Sequence, residues 1–325
     1  STYSVDYVDN DRYFKSSSFQ PDSDAKWIRR MSEFLGTNHI NINLENDKLL
    51  EALYDATLFR DLPGMADVDS SLLLFCREIK KNNTVAVSGE CADEIFGGYP
   101  WYYKEETLYA DAFPWSNSLN YRCSFLRDDS ISLHDAEEYV RARYLDTVKQ
   151  APKTGEESRL EARMKEMMVL NFNWFMQTLL DRKDRMSMAC GLEVRVPFCD
   201  HRIMEYAYNI PWEMKYYKQR EKGLVREAFT GVLPEDVLWR KKSPYPKTHN
   251  PYFLQGVKDR MQVLLDAKNE PLFEIANKNA VKQLLGTETV NLNQTWYGQL
   301  MSLPQTIAYF LQLNHWMKEY GVDIV

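Results

Sequence analysis

Residues 84–99 read Thr84-Val85-Ala86-Val87-Ser88-Gly89-Glu90-Cys91-Ala92-Asp93-Glu94-Ile95-Phe96-Gly97-Gly98-Tyr99. The first four form a continuous apolar run, the kind of strand that a parallel sheet buries on both faces. Ser88-Gly89 follows at its carboxyl end, where the missing Cβ lets a ligand come close to the backbone. Glu90, Asp93 and Glu94 then crowd three carboxylates into five residues, and these repel one another unless a cation or hydrogen-bond donors neutralise them. Gly97-Gly98 allows a sharp turn before Tyr99. Two readings fit the carboxylates. They suit an acidic helix N-terminus, which the helix dipole favours. They also suit a magnesium–nucleotide site, since Mg²⁺ takes one or two carboxylates and completes its shell with phosphate and water.

Upstream, residues 2–7 (TYSVDY) read as a short buried strand. Residues 24–36 carry helical spacing through Trp27, Ile28, Met31 and Leu35 and stop at Gly36. Residues 39–44 (HININL) alternate with the strand period. A second helix is expected over 48–59, a Pro/Gly/Asp loop over 61–69, and a third helix over 70–81 with Ser70 at its start and Lys81 at its end. Strand–helix alternation of this kind implies right-handed crossovers and an open parallel α/β sheet. Such sheets bind ligands beyond the carboxyl ends of their strands, which directs attention to residues 88–99.

Downstream of Pro114 the pattern is helical, with no clear strand. The expected organisation is an α/β nucleotide-binding part over 1–113 and a mainly helical part over 114–325. Residues 159–180 carry a stripe of Met164, Met168, Phe172, Phe175 and Leu179, read as core packing. Further helices are expected over 202–208, 222–229, 251–266, 277–285 and 294–320.

Composition sets limits. The 325 residues are 44% hydrophobic and 27% charged, an ordinary globular balance. The net charge of −7 argues against a nucleic-acid or anionic-membrane partner, which needs a basic face. The five cysteines are odd in number and show no CxxC pairing, which fits a reducing cytoplasm. No run has the length of a membrane span. The five histidines are scattered, without metal-ligand spacing.

Three segments carry a resemblance. S-G-E-x-x-D-E-(I/V/L)-F-G-G-Y at 88–99 is similar to the signature of the asparagine synthetase family. Residues 182–200 (RKDRMSMACGLEVRVPFCD) resemble that family's D-R-x-S-M-x-x-x-x-E-x-R-x-P-F-x-D segment, and 240–253 (RKKSPYPKTHNPYF) its lysine-bearing loop. The order and spacing agree over nearly the whole chain. The resemblance implies a sheet of the adenine-nucleotide α-hydrolase (ATP pyrophosphatase) type. It also implies an ATP-dependent reaction in which the side-chain carboxylate of aspartate is adenylated and ammonia then displaces AMP. By the match, the backbone of Val5 reads adenine, and Ser88 and Gly89 lie against the α-phosphate and ribose. Asp93 coordinates Mg²⁺, Glu90 faces the acyl-adenylate, Lys242 neutralises charge at the α-phosphate, and Arg182 stands near pyrophosphate or substrate. For Asp184, Arg185, Glu193 and Arg195, placed on a helix and the turn after it, a buried ion-pair network is as good a reading as catalysis. Cys91, where the family carries a small residue, is read as a tolerated small side chain.

The family pattern also includes an S-G-G-x-D-S pyrophosphate loop before the first strand and a glutaminase half that releases ammonia from glutamine. Neither lies within these 325 residues, and Ser1 running straight into a strand implies residues upstream. The sequence Asp67–Ser71 (DVDSS) lacks the preceding Ser-Gly-Gly and is read as a helix cap. The expectations are weak adenylation by the chain as it stands and, from an exposed sheet edge, self-association, a homodimer for instance. Two other classes stay open: another amide-forming synthetase on the same scaffold, such as a β-lactam synthetase, and a non-catalytic nucleotide-binding module. A nucleic-acid-modifying pyrophosphatase is disfavoured by the acidic charge.

Overall fold

In the computed structural model, which describes residues 1–14, 16, 22–116, 118–287, 295–298 and 300–324, the strands form two parallel pairs instead of one sheet. β1 (Thr2–Tyr7) pairs with β2 (His39–Leu44) in the register Val5–Ile42. β3 (Val85–Val87) pairs with β4 (Glu193–Arg195), with Ala86 opposite Val194. Both pairs are parallel and carry helices between their strands, so the α/β character stands while the sheet is smaller than the alternation implied.

Three expectations are corrected here. β3 is not buried on both faces: Ala86 faces a cluster with Leu72, Leu73 and Cys76, while Val85 and Val87 are 39% and 74% exposed. The period of two puts alternate side chains on opposite faces, and among the described residues only one face of this strand is covered. Nor is the later part strand-free, since β4 lies in it. Glu193 and Arg195 therefore sit on a strand, paired to each other at 2.7 Å on the surface. Arg185 likewise makes an exposed pair with Asp61 at 2.9 Å, and Asp184 is exposed. The buried network anticipated for these four is absent.

The helices match the apolar spacing closely. Ala25–Leu35 ends on Gly36 at φ +59°, and Asn46–Arg60, Pro251–Asp266 and His201–Tyr208 lie within two residues of their expected bounds. The helix expected from Ser70 begins three residues earlier, as Asp67–Lys80. Asp69 in its first turn accepts the Met65 amide at 2.8 Å and pairs with Arg60 at 3.0 Å, so it orders the loop before the helix. The helix expected over 294–320 runs over Leu303–Tyr320, and Gln294 lies outside the described residues. Leu133–Lys149 is a helix that sequence reading missed.

The main core joins three of these helices. Leu49, Leu50 and Leu53 of Asn46–Arg60 meet Phe253, Val257 and Met261 of Pro251–Asp266 and Ile307 and Leu311 of Leu303–Tyr320. A second, aromatic cluster gathers Tyr99, Trp101, Tyr102, Trp115 and Phe175 around the Met164–Met168 stripe. That stripe continues through a π-helical turn at Asn171–Met176, where Asn171 Nδ2 donates to the Met167 carbonyl at 2.7 Å. Both clusters draw on residues from either side of position 113.

Leu53 has no exposed surface, and its truncation leaves a cavity between all three helices. L53A should lower unfolding free energy by about 2–5 kcal/mol, read as a shift of the urea midpoint at unchanged slope.

Candidate active site

β3 ends at Val87, and the Ser88 amide still donates to the Arg195 carbonyl of β4 at 2.9 Å. The chain then reverses. Cys91 takes φ +76°, the short helix Ala92–Phe96 follows, and Gly97 closes it at φ +71°. Positive φ at Gly97 is free of a Cβ penalty. Gly98 is required for a different reason: a Cβ there would overlap the Asp93 carboxylate, which packs over its Cα. The turn therefore exists in this form because of its two glycines, and it presents Asp93 outward from the strand end.

Asp93 is met by two ammonium groups. Lys242 Nζ lies 2.8 Å from Oδ2 and Lys222 Nζ 2.7 Å from Oδ1. Burial alone would raise the Asp93 pKa, but the two lysines outweigh it and hold the carboxyl down at about 2. Lys242 also sits over the Tyr99 ring, 4.8 Å from its centroid. Glu94, one residue on, points inward instead. The Tyr99 hydroxyl donates to its Oε1 at 2.6 Å, and burial, opposed by that hydrogen bond, raises the Glu94 pKa to about 7. Adjacent acids thus carry opposite perturbations, because one faces lysines and the other faces the core.

Glu90 is held from another direction. Arg182 Nη2 and Lys183 Nζ approach its Oε1 at 3.5 and 3.2 Å. Its Oε2 is buried and without a hydrogen-bond partner among the described residues. Arg182 is itself buried and lies over the Tyr245 ring at 5.1 Å. Cys91 is buried, and burial raises its thiol pKa, which disfavours the thiolate a nucleophile needs.

The segment after Arg240 runs across the mouth of both strand pairs. Arg240 pairs with Asp24, Lys242 with Asp93, and Tyr245 with Arg182 and, hydroxyl to hydroxyl at 3.4 Å, with Ser71. The Tyr7 hydroxyl at the end of β1 donates to the Pro246 carbonyl at 3.0 Å. The Asn10 side-chain oxygen accepts the His249 amide at 2.7 Å. Val5 is buried in the core and lines a crevice of about 20 Å³ with Asp24, Pro246 and Lys247. Asp67, buried at the start of Asp67–Lys80, has its pKa raised to about 6 by burial, with Gln305 and Lys247 pulling it back.

The fold therefore brings Asp93 to Lys242 and Glu90 to Arg182, with Ser88 and Gly89 directly before Glu90 in sequence. Apart from Gly89 itself and its two chain neighbours, no atom of the described residues lies within 4 Å of where a Gly89 Cβ would stand. Sequence reading missed Lys222, Lys183 and Tyr245. Lys222 stands in a charged run, KQREK, that reads as a solvated face, and nothing in its spacing marks it.

The family model described as Asparagine synthase covers residues 1–318. The chain belongs to the asparagine synthase family. Asparagine synthetase [glutamine-hydrolyzing] 3 of Bacillus subtilis (strain 168) is 48% identical over 323 residues, 99% of this chain and 52% of that protein. Asparagine synthetase [glutamine-hydrolyzing] 1 of the same organism is 30% identical over 253 residues, covering 69% of this chain and 40% of that one. The enzyme of Mesocricetus auratus is 26% identical over 231 residues, 67% and 30% respectively. This asparagine synthase chain spans about half the length of the first of these relatives. Among its described residues no helix is long and apolar enough to cross a membrane.

The opposed acids make a pH test. The unfolded Glu94 ionises near its ordinary value of 4.5, whereas the folded one keeps its proton to about 7. Its contribution to stability is thus fully present below pH 4.5, falls as pH rises toward 7, and is gone above that. E94Q should abolish this fall. The wild type should lose a few kcal/mol relative to E94Q between pH 5 and pH 8, measured by urea unfolding of both proteins at each pH.

Proposed function

We propose that the chain forms an amide by the chemistry its relatives' names state, converting aspartate to asparagine with ATP in the cytoplasm. The observation that carries this is Lys242, brought from a distant loop to 2.8 Å from Asp93 at the carboxyl end of β3. A lysine delivered over 149 residues to the end of a parallel strand is a cation placed where α/β sheets hold their ligands.

In this reading Val5 meets adenine through its backbone, and Ser88 and Gly89 receive the α-phosphate and ribose, where the open space at Gly89 admits them. Asp93, whose carboxyl Lys242 and Lys222 hold well below the usual range against the effect of burial, is the carboxylate that would hold Mg²⁺. Among the described residues no group of three or more potential ligand side chains could hold a metal, so phosphate and water would complete the shell. When bound, the ion would neutralise phosphate charge. Lys242 and Lys222 place preorganised positive charge beside the same phosphates. Preorganised charge is effective because it needs no rearrangement as charge develops in the transition state.

The aspartate side-chain carboxylate attacks the α-phosphorus, and pyrophosphate leaves to give an acyl-adenylate. Ammonia then attacks the acyl carbon, AMP departs, and the nitrogen loses a proton. Glu90 is the base we assign to that proton, at the Oε2 atom that lacks a hydrogen bond within the protein. Arg182 and Lys183, 3.5 and 3.2 Å from Oε1, hold the Glu90 side chain in place.

Mixing the chain with Mg-ATP, aspartate and an ammonium salt should release pyrophosphate slowly, in line with the weak adenylation expected without the pyrophosphate loop, and yield asparagine by mass spectrometry. K242M should lower kcat by about 10²–10³-fold, the loss of one preorganised donor, with a smaller change in KM for aspartate. Pyrophosphate release that does not depend on aspartate, or an amide of another acid as product, would replace this reading with a different synthetase.

A further inference from the structure

Lys215 ends the short helix Trp212–Lys215 and is 2% exposed. Its Nζ donates to the Met168 Sδ at 2.9 Å, and among the described residues no carboxylate lies within ion-pair distance. A thioether is a weak acceptor, and a buried ammonium without a counter-ion is an unstable arrangement. Burial accordingly lowers its pKa to about 7.

The same lysine lines a cavity of about 230 Å³, several times the roughly 30 Å³ share of one water. The lining is graded by burial. Lys215 is its most buried member. Met164 and Met168, both buried, and the half-buried Trp212 form an apolar waist. The mouth carries Glu156, Glu157 and Glu161 against a single lysine, Lys165. Lys165 is engaged by Glu157 at 2.6 Å, and Glu157 also accepts the Thr154 amide at 2.8 Å. Glu156, which is exposed, and Glu161 supply the remaining negative charge. Tyr208 completes the titratable groups that face the cavity.

Positive base, apolar waist and negative mouth are the mirror image of a short chain with a carboxylate at one end and an ammonium at the other. We propose that this cavity binds a short ω-amino carboxylate, its carboxylate on Lys215, its methylenes against Met164, Met168 and Trp212, and its ammonium toward Glu156 and Glu161. The cavity's lining contains none of Glu90, Asp93, Lys222 and Lys242. It is joined to the catalytic turn by Trp212, which stacks on Tyr102 at 5.6 Å and covers the Gly97 Cα.

Calorimetric titration of the full chain with 5-aminopentanoate, pentanoate and pentylamine tests this. 5-Aminopentanoate should bind with one-to-one stoichiometry, and each of the other two at least about tenfold more weakly. At pH 7.5 binding should take up protons, seen by repeating the titration in buffers of different ionisation heat, because a carboxylate favours the charged form of Lys215. K215M should bind at least about tenfold more weakly and take up no protons, while unfolding at no lower temperature, since it replaces an unpaired buried charge by an apolar chain. Should K215M fail to fold, E156Q/E161Q tests the other end: it should erase the advantage of 5-aminopentanoate over pentanoate. Absence of 5-aminopentanoate binding at millimolar concentration, equal binding by K215M, or equal affinity for pentanoate would overturn the proposal.

Discussion

Asp93 held between Lys242 and Lys222 is the contact on which the site depends. The carboxylate is largely removed from water, so it needs positive charge close by, and both of its oxygens have it. Neither lysine is near Asp93 in sequence. The pairing therefore holds two distant loops against the end of β3, and it does so at the place where the turn is least able to move. Gly98 leaves room for the carboxylate, and Gly97 and Cys91 take the left-handed conformation that aims it. Two other neighbours of the turn act through packing. Tyr99 carries Lys242 on its face and bonds Glu94 with its hydroxyl, and Trp212 lies across Gly97.

The segment Arg240–Asn250 extends that constraint to the other strand pair. It has no regular secondary structure, yet its side chains and carbonyls are held at nearly every second residue, from Asp24 through Asp93 and Arg182 to Tyr7 and Asn10. A loop pinned in this way behaves as part of the scaffold. It connects the end of β1, through Tyr7, with the turn after β3, through Asp93, although the two strands share no ladder. Buried charge also occurs at Arg182, Asp67 and Asp69, the last held by the Met65 amide and Arg60.

Much of this was legible before any coordinates. The Ser88–Tyr99 stretch announces its turn through Gly97 and Gly98 and its chemistry through the acids between them, and the helices follow from apolar spacing to within a few residues. Other features were misread for identifiable reasons. Val85 and Val87 are apolar, and a run of apolar residues does not say whether one face or two will be covered. β4 is three residues long, too short to show a period, and its partner lies more than a hundred positions earlier. Leu133–Lys149 has a weak apolar stripe, with only Tyr144 and Thr147 buried, so its sequence resembles a charged loop.

By itself the sequence determined the local conformations: where glycine permits a turn, where capping residues and apolar spacing make a helix, and which residue types could grip a phosphate. Those depend on interactions among neighbours a few positions apart. Only the tertiary structure decided which acid meets which base. Asp93 and Glu94 are adjacent and chemically alike, yet one is held near pKa 2 by Lys222 and Lys242 while the other is raised to about 7 by the core. The difference lies in the dielectric surroundings and the distant charges that packing brings to each, and neither is a property of the chain read in order.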